Sequence, residues 1–359
     1  MKSDFGFVIH PVDVNLVAPA FNDAKVFSKR KDLLEKIFEW LPSFKCSHIT
    51  GVESKTGKTI EGDLVYVPYL PHQIMSLPSD VVFRRVVQAG QVAKDLGCKI
   101  LGLGAYAAFV GHRGVLIEKE LGMPVTTGSA YTVGSAIRAA SWVAREVFGD
   151  RDMNIAVIGA TGALGSAFAR ILAGKTKKNI ILVARNLSRL KSLQEELSAT
   201  HPLAQVRISD SIEQGIKDAN LIFISTNTPD SIIDVNALLP GTVVCDLSQP
   251  HNIDETAASM RKDILVVDGG LIKPPGKEVK FNFYFGLPES LAFACMAETM
   301  ILALEEHFES YSLGGKITAE KVDQILKWGD KHGFTLSDPL SFGKTITQEQ
   351  IAQVQELVT

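Results

Sequence analysis

Between Asn154 and Gly270 the apolar residues come in short runs separated by amphipathic stretches. The runs are Ile155–Ile158, Ile180–Val183, Val206–Ile208, Leu221–Ser225, Val243–Asp246 and Leu265–Val267. They are rich in β-branched residues and show little polar alternation, as strands buried on both faces require. Helical segments lie between most of them, so the pattern predicts a doubly wound parallel sheet of the Rossmann type.

The pattern differs on either side. Before residue 150 it predicts a mixed α/β domain. Phe5–Ile9 reads as a strand, Ile49–Glu53 and Thr59–Tyr69 as a hairpin around Lys55-Thr56-Gly57-Lys58, and Val81–Leu96 as an amphipathic helix. The apolar run Ile100–Leu103 follows, then a long helix over Ala130–Phe148, and Gly149-Asp150-Arg151-Asp152 reads as a joint. After Gly270 the alternation stops. Pro274-Pro275-Gly276 marks a loop, and helices are expected over Pro288 to about His307, with proline in the first turn, and over Ala319–Lys331 and Gln348–Leu357. The expected division is an N-terminal α/β domain over residues 1–150 for substrate, a dinucleotide-binding domain over 151–287 and a C-terminal helical segment over 288–359.

Composition narrows the function classes. A chain of 359 residues with 46% hydrophobic and 21% charged residues has room for two cores. A net charge of -3 gives no reason to expect nucleic acid as a partner. No apolar run reaches the ~18 residues of a membrane span, and the start MKSDFGFVIHP lacks the apolar core of a signal peptide. Cys46, Cys98, Cys245 and Cys295 follow neither CxxC nor zinc spacing, so no metal is expected, and a reduced, cytoplasmic enzyme fits best.

The most informative motif opens the Rossmann pattern. Gly159, Thr161, Gly162, Ala163, Leu164 and Gly165 lie between a good strand and a good helix, in the spacing GxxGxxG. The first glycine allows a sharp turn, the second lets the backbone approach a pyrophosphate, and the third lets helix pack on strand. The free N–H groups of the helix start then face the phosphates. At the end of the second strand stands Arg185, with Arg189 one turn later, where an NAD site usually has an acidic residue for the ribose hydroxyl. A guanidinium favours a 2′-phosphate, so NADPH is the expected cofactor. Thr226, after the fourth strand, lies where topology sends the nicotinamide half.

Cys295 stands in Phe293-Ala294-Cys295-Met296-Ala297-Glu298-Thr299. A cysteine in an apolar helix is more often a small core residue than a nucleophile. Here it is expected two turns from a helix start, flanked by the small Ala294 and Ala297, with Glu298 free to orient a partner or face solvent. Cys46 reads as an exposed loop cysteine, and Cys98 and Cys245 as core residues. His112 and Tyr131 are proton-donor candidates in the first domain. Lys29-Arg30-Lys31 and Lys175–Lys178 are short basic runs.

These segments resemble the cyanobacterial-type long-chain acyl-[acyl-carrier-protein] reductases, which make fatty aldehydes. The resemblance runs through Thr59-Ile60-Glu61-Gly62 with Leu70-Pro71, Leu101-Gly102-Leu103-Gly104, Thr126-Thr127-Gly128, Gly159–Gly165 and Ala184-Arg185-Asn186. It is most specific at Phe293-Ala294-Cys295 with Ala297-Glu298 and at Lys331-His332-Gly333-Phe334. It implies NADPH-dependent reduction of an acyl thioester, with acyl carrier protein or acyl-CoA as donor and Cys295 as the residue that takes the acyl group. A homo-oligomeric state is compatible with it. Ser129-Ala130-Tyr131-Thr132 departs from the Asn and His that the family commonly has there, and Lys273–Phe285 departs as well. Two other readings remain: an NADP-dependent dehydrogenase of shikimate or amino-acid type, which shares the arrangement of an N-terminal α/β domain, a Rossmann domain and returning C-terminal helices, and a protein that binds NADPH without turnover.

Overall fold

The computed structural model describes residues 3–12, 31–149, 151, 153–228, 231–284 and 287–358. Lys29 and Arg30 of the first basic run, Asp150 and Asp152 of the expected joint, and Phe285 lie outside them, as does the side chain of Lys31. The chain forms two compact units. The first joins residues 1–132 with 271–316 and 320–335, and the second holds 133–270, 317–319 and 336–359. The region expected to stand as a C-terminal helical segment is therefore shared between the two units.

The leading part of the first unit contains strands β1 (Phe5–Ile9), β2 (Phe44–Glu53), β3 (Thr59–Tyr66), β4 (Ile100–Leu103) and β5 (Val125–Thr126). Its longer helices are α1 (Lys31–Trp40), α2 (Ser79–Asp95) and the start of α3 (Ser129–Val143). The sheet order is β2-β3-β1-β4-β5. Only the β2–β3 hairpin is antiparallel, and the other pairings are parallel. The hairpin turn needs Gly57, whose φ of +82° lies in the left-handed region. Helix α2 buries Val82, Val86, Ala89, Gly90 and Ala93, one face at helical spacing. That face joins Val8, Val65, Leu101, Leu103 and Val125 in one core.

The second unit is the parallel sheet that the sequence pattern predicts. Its strands are β6 (Asn154–Ile158), β7 (Asn179–Val183), β8 (Gln205–Ser209), β9 (Leu221–Ile224), β10 (Val243–Asp246) and β11 (Leu265–Asp268). They lie in the order β11-β10-β9-β6-β7-β8. Every pairing is parallel, and the order reverses between β6 and β9, where crevices at the carboxyl ends of such sheets receive ligands. Helix α4 (Ala163–Lys175) and helix α5 (Leu187–Thr200) follow β6 and β7. Phe168 of α4 stacks on Phe223 of β9 with ring centroids 3.7 Å apart and planes 2° from parallel.

The chain then returns to the first unit. Strand β12 (Leu271–Lys273) pairs antiparallel with β13 (Ala292–Phe293), and helix α6 (Ala294–Leu304) starts where β13 ends. Helix α6 crosses β4 at Gly102, where a Cβ would lie 2.2 Å from Thr299 Oγ1 and 2.3 Å from the Phe7 ring. The absent side chain sets that close packing. Helix α7 (Ala319–His332) belongs largely to the same unit. Helix α8 (Gln348–Leu357), in the second unit, is opened by a capping box between Thr347 and Gln350. No helix among the described residues is long and apolar enough to cross a membrane.

Phe223→Ala removes one of two stacked, fully buried rings. It is expected to lower stability by about 3–5 kcal/mol, read from urea unfolding.

Candidate functional site

The first cluster lies at the carboxyl edge of the second unit's sheet. Gly159 has φ +80°, and a Cβ there would sit 2.4 Å from the Ser225 carbonyl oxygen, so only glycine passes. The turn is pinned by Gly162 N–H donating to the Gly159 carbonyl at 2.8 Å and by the N–H groups of Gly159 and Ala160 donating to Val183 O at 2.9 and 3.1 Å. Gly165 brings helix onto strand, since its Cβ would meet Gly159 O at 2.4 Å. Helix α4 has Gly162 as its N-cap and no side chain capping it. Its first-turn N–H groups are therefore left for a ligand, beside half-buried Thr161, Gly162, Ala163 and Leu164. A glycine cradle with an uncapped helix start fits a dinucleotide pyrophosphate.

Arg185 follows β7 and is exposed, and Arg189 is exposed in the first turn of α5, which Asn186 caps by accepting from Arg189 N–H at 3.0 Å. Among the described residues neither arginine is in an ion pair. Thr226 lies against the glycine turn, its Cγ2 3.3 Å from a Cβ built on Gly159. Its hydroxyl donates to Asn252 Oδ1, and its N–H donates to Ser248 Oγ at 3.4 Å. The structure thus brings Gly159, Gly162, Gly165 and Thr226 together, with Arg185 on the neighbouring strand end.

Sequence reasoning missed the turn behind Thr226. Buried Asp246, ending β10, accepts from the N–H groups of Ser248 at 2.8 Å and Asn252 at 2.7 Å. His251 stands 3.5 Å from Asp246 and 3.7 Å from Asp268. Burial works against its imidazolium, but the carboxylates of Asp246, Asp268 and Glu255 outweigh that and hold it above its ordinary value. An acidic residue closing a strand, followed by Ser and Asn, was the available signal.

The second cluster is in the first unit, around Cys295. The expected helix start at Pro288 is not observed. Residues 292–293 are committed to pairing with β12, so α6 begins at Ala294 and Cys295 sits in its first turn. The helix dipole acts most strongly there. The N-cap, Phe293, offers no side-chain cap. Main-chain N–H groups of Met296 and Ala105 favour its thiolate, yet burial dominates and pushes the thiol up to about 11. The small flanking residues Ala294 and Ala297 are buried.

Gly128 presses on the same residue. Its φ is +72°, and a Cβ there would lie 2.1 Å from Cys295 Cα and 2.5 Å from its carbonyl oxygen. Glu298, expected to orient a partner or face solvent, is fully buried. Its carboxyl accepts from Thr126 Oγ1 and from Tyr131 N–H, the latter at 2.7 Å, at the opening of α3. One carboxyl therefore holds both flanks of the Thr126-Thr127-Gly128 turn against the cysteine. Burial raises the Glu298 pKa, and the donors, including Ser312, offset this only in part.

The structure places the remaining candidates as follows. Cys46 lies within β2, donates to Leu64 O at 3.4 Å and is pushed up to about 12 by burial, which corrects its reading as an exposed loop residue. Cys98 and Cys245 are buried, with thiols also near 12. The Tyr131 ring is buried against Gly329, whose Cβ would lie 2.9 Å from the phenol oxygen. His112 is exposed in a left-handed turn with φ +53°. Within the second basic run, Lys178 Nζ donates to Arg151 O at 2.9 Å.

Comparison with known proteins follows this division. The shikimate / quinate 5-dehydrogenase family model matches residues 143–268, the dinucleotide half. Aminotransferase PigE of a Serratia species is 26% identical over 98% of this chain, which spans only 42% of PigE's length. The long-chain acyl-[acyl-carrier-protein] reductase of Synechococcus elongatus is 29% identical over 79% of this chain and 84% of its own. A glutamyl-tRNA reductase of Caldivirga maquilingensis is 28% identical over 42% of this chain and 36% of its own. Together with the strand, glycine turn and helix, these likenesses support an NAD(P)-dependent oxidoreductase.

The raised Glu298 pKa gives a signed prediction. The native carboxyl keeps a proton that the unfolded chain has released, so this group's contribution is whole below the ordinary glutamate value and is lost as pH rises through the raised one. Urea unfolding from about pH 4 to 8 is expected to show that decline in the wild type and its absence in Glu298→Gln. Parallel curves for the two proteins contradict it.

Proposed function

We propose that this protein reduces a fatty acyl thioester to an aldehyde, using NADPH and a Cys295 acyl-enzyme. The observation that carries the reading is the first-turn position of Cys295 in α6, whose N-cap offers no side-chain cap. The likeness to the acyl-carrier-protein reductase of Synechococcus elongatus, over 79% of this chain, supports it. The second unit is the cofactor domain in this reading, and the first carries the acyl acceptor.

The chemistry divides into two halves. Cys295 Sγ, as thiolate, attacks the thioester carbonyl carbon. The carrier's C–S bond breaks, and the carrier sulfur takes up the proton that Cys295 lost. Main-chain N–H groups at the start of α6 stabilise negative charge without reorganising. The thiol that burial holds near 11 is mostly protonated at neutral pH, so the first step needs the proton to leave as the thioester arrives. When bound, the reduced nicotinamide supplies the hydride. The acyl carbon then carries an alkoxide, which takes a proton to give a hemithioacetal. Its collapse breaks the bond to Cys295 and releases the aldehyde and a free thiol.

For the cofactor, the Gly159–Gly165 turn holds the pyrophosphate, Thr226 borders the nicotinamide half, and Arg185 with Arg189 grips the 2′-phosphate. The donor is acyl carrier protein or acyl-CoA.

Two measurements test this. Intact mass spectrometry after incubation with an acyl-CoA and no NADPH is expected to show an adduct on Cys295 that NADPH discharges as aldehyde. A Cys295→Ala variant that still makes aldehyde rules the mechanism out. Arg185→Ala is expected to raise KM for NADPH by roughly 10- to 100-fold and leave KM for NADH nearly unchanged, because a hydrogen bond to a charged group is lost only with the phosphate. Equal effects on both cofactors argue against a 2′-phosphate contact.

A further inference from the structure

In the second unit, the loop behind Thr226 is bonded from end to end. Buried Asn252 accepts from the Thr226 hydroxyl at Oδ1. Its side-chain amide donates to Thr228 O at 3.0 Å, and its main-chain N–H donates to Asp246 Oδ2 at 2.7 Å. The other oxygen of Asp246 accepts from Ser248 N–H at 2.8 Å, and Ser248 Oγ accepts from Thr226 N–H at 3.4 Å. Thr226 is thus held twice, and both holds lead back to Asp246.

Asp246 has a like-charged neighbour. It ends β10 and pairs in register with Asp268, which ends β11. Register partners leave the same face of a sheet, and like charges side by side there repel. Water screens them little, because Asp246 is fully buried and the Asp268 side chain is 5% exposed. Asp268 is tied down as well, accepting from the N–H groups of Phe342 and Gly343 at 2.8 and 2.7 Å. His251 stands between the two carboxylates, Nδ1 3.5 Å from Asp246 Oδ2 and Nε2 3.7 Å from Asp268 Oδ1. Its ring meets the Phe342 ring edge-on, with centroids 5.2 Å apart. Both polar distances are too long for a strong hydrogen bond. What the ring offers the carboxylates is therefore charge, and a neutral imidazole would leave them facing each other. The charged groups that face it are Asp246, Asp268 and Glu255, the last engaged by Lys344 at 3.0 Å. Burial opposes the imidazolium, and the three carboxylates more than offset it.

We propose that His251, as imidazolium, is the positioning residue for the nicotinamide end of the cofactor site: it neutralises the paired carboxylates of Asp246 and Asp268, and so keeps Asp246 where it anchors Asn252, Ser248 and, through them, Thr226. This rests on the reading of Thr226 as the border of the nicotinamide half.

The test uses the full chain and NADH, which has no 2′-phosphate to titrate. Its Kd is read from nicotinamide fluorescence between about pH 6 and 9, a range that brackets histidine titration. The His251 ring is followed by NMR over the same range. Affinity is expected to be highest while His251 is protonated, and Kd to rise about tenfold as pH passes through the His251 midpoint. His251→Gln is expected to show the weaker affinity at every pH. His251→Lys keeps a cation and is expected to show the tighter affinity throughout. A wild-type Kd that stays level across the His251 midpoint overturns the proposal, whether or not the variants fold. So does a folded His251→Gln with the wild-type profile. Thr226→Val separates the proposal from the reading beneath it. Unchanged NADH affinity in that variant removes Thr226 from the cofactor border, and the proposal with it. Weakened affinity there, beside a level wild-type profile, removes His251 alone.

Discussion

A buried carboxyl at Glu298 is the constraint on which the candidate nucleophile depends. It cannot reach water, so it must find donors inside the protein. It finds them in the Thr126 hydroxyl and the Tyr131 N–H. Those two groups bracket the turn that ends in Gly128, whose backbone touches Cys295. A short helix stretch from Cys295 to Glu298 is thereby fixed at both ends by one loop. The sulfur gains a defined place at a helix start, where burial raises its pKa.

The two clusters use the same local device for different purposes. Each helix start, after Gly162 and after Phe293, lacks a side-chain cap. First-turn N–H groups are left without a side-chain acceptor from the N-cap in both, and each site is shaped by a glycine where a side chain would collide. In the second unit this suits an anion that comes and goes. In the first it suits charge that appears on a resident sulfur and its substituent. Main-chain donors serve both because they cannot swing away, and a rigid donor loses nothing to reorganisation.

The sheet of the second unit was legible because its physics is local. Buried strands need short apolar runs, and β10 was read to the residue. The glycine turn was legible for the same reason. The start of α6 was not. Pro288 is a good first-turn residue, and nothing nearby in the chain reveals that residues 292–293 pair with β12. Glu298 was illegible for a related reason. A glutamate three residues past a cysteine reads as surface until the loop it serves, far back in the chain, is set beside it. The partition of the chain was hidden too, because the return of residues 271–316 to the first unit has no mark in composition.

That return bears on how the protein is made. The first unit is assembled from chain on both sides of the second. Strands β1 to β5 leave the ribosome well before helix α6, which packs on β1, β3 and β4. Until the whole intervening sheet has been synthesised, the apolar face that α6 will cover stays open. A nascent chain in that condition is exposed to aggregation and to chaperones, as proteins with long-range contacts tend to be. The second unit's six-stranded sheet comes from one continuous stretch and has no such wait. Cys295 is thus among the last parts of its unit to be put in place, and an incomplete chain lacks the helix that positions it.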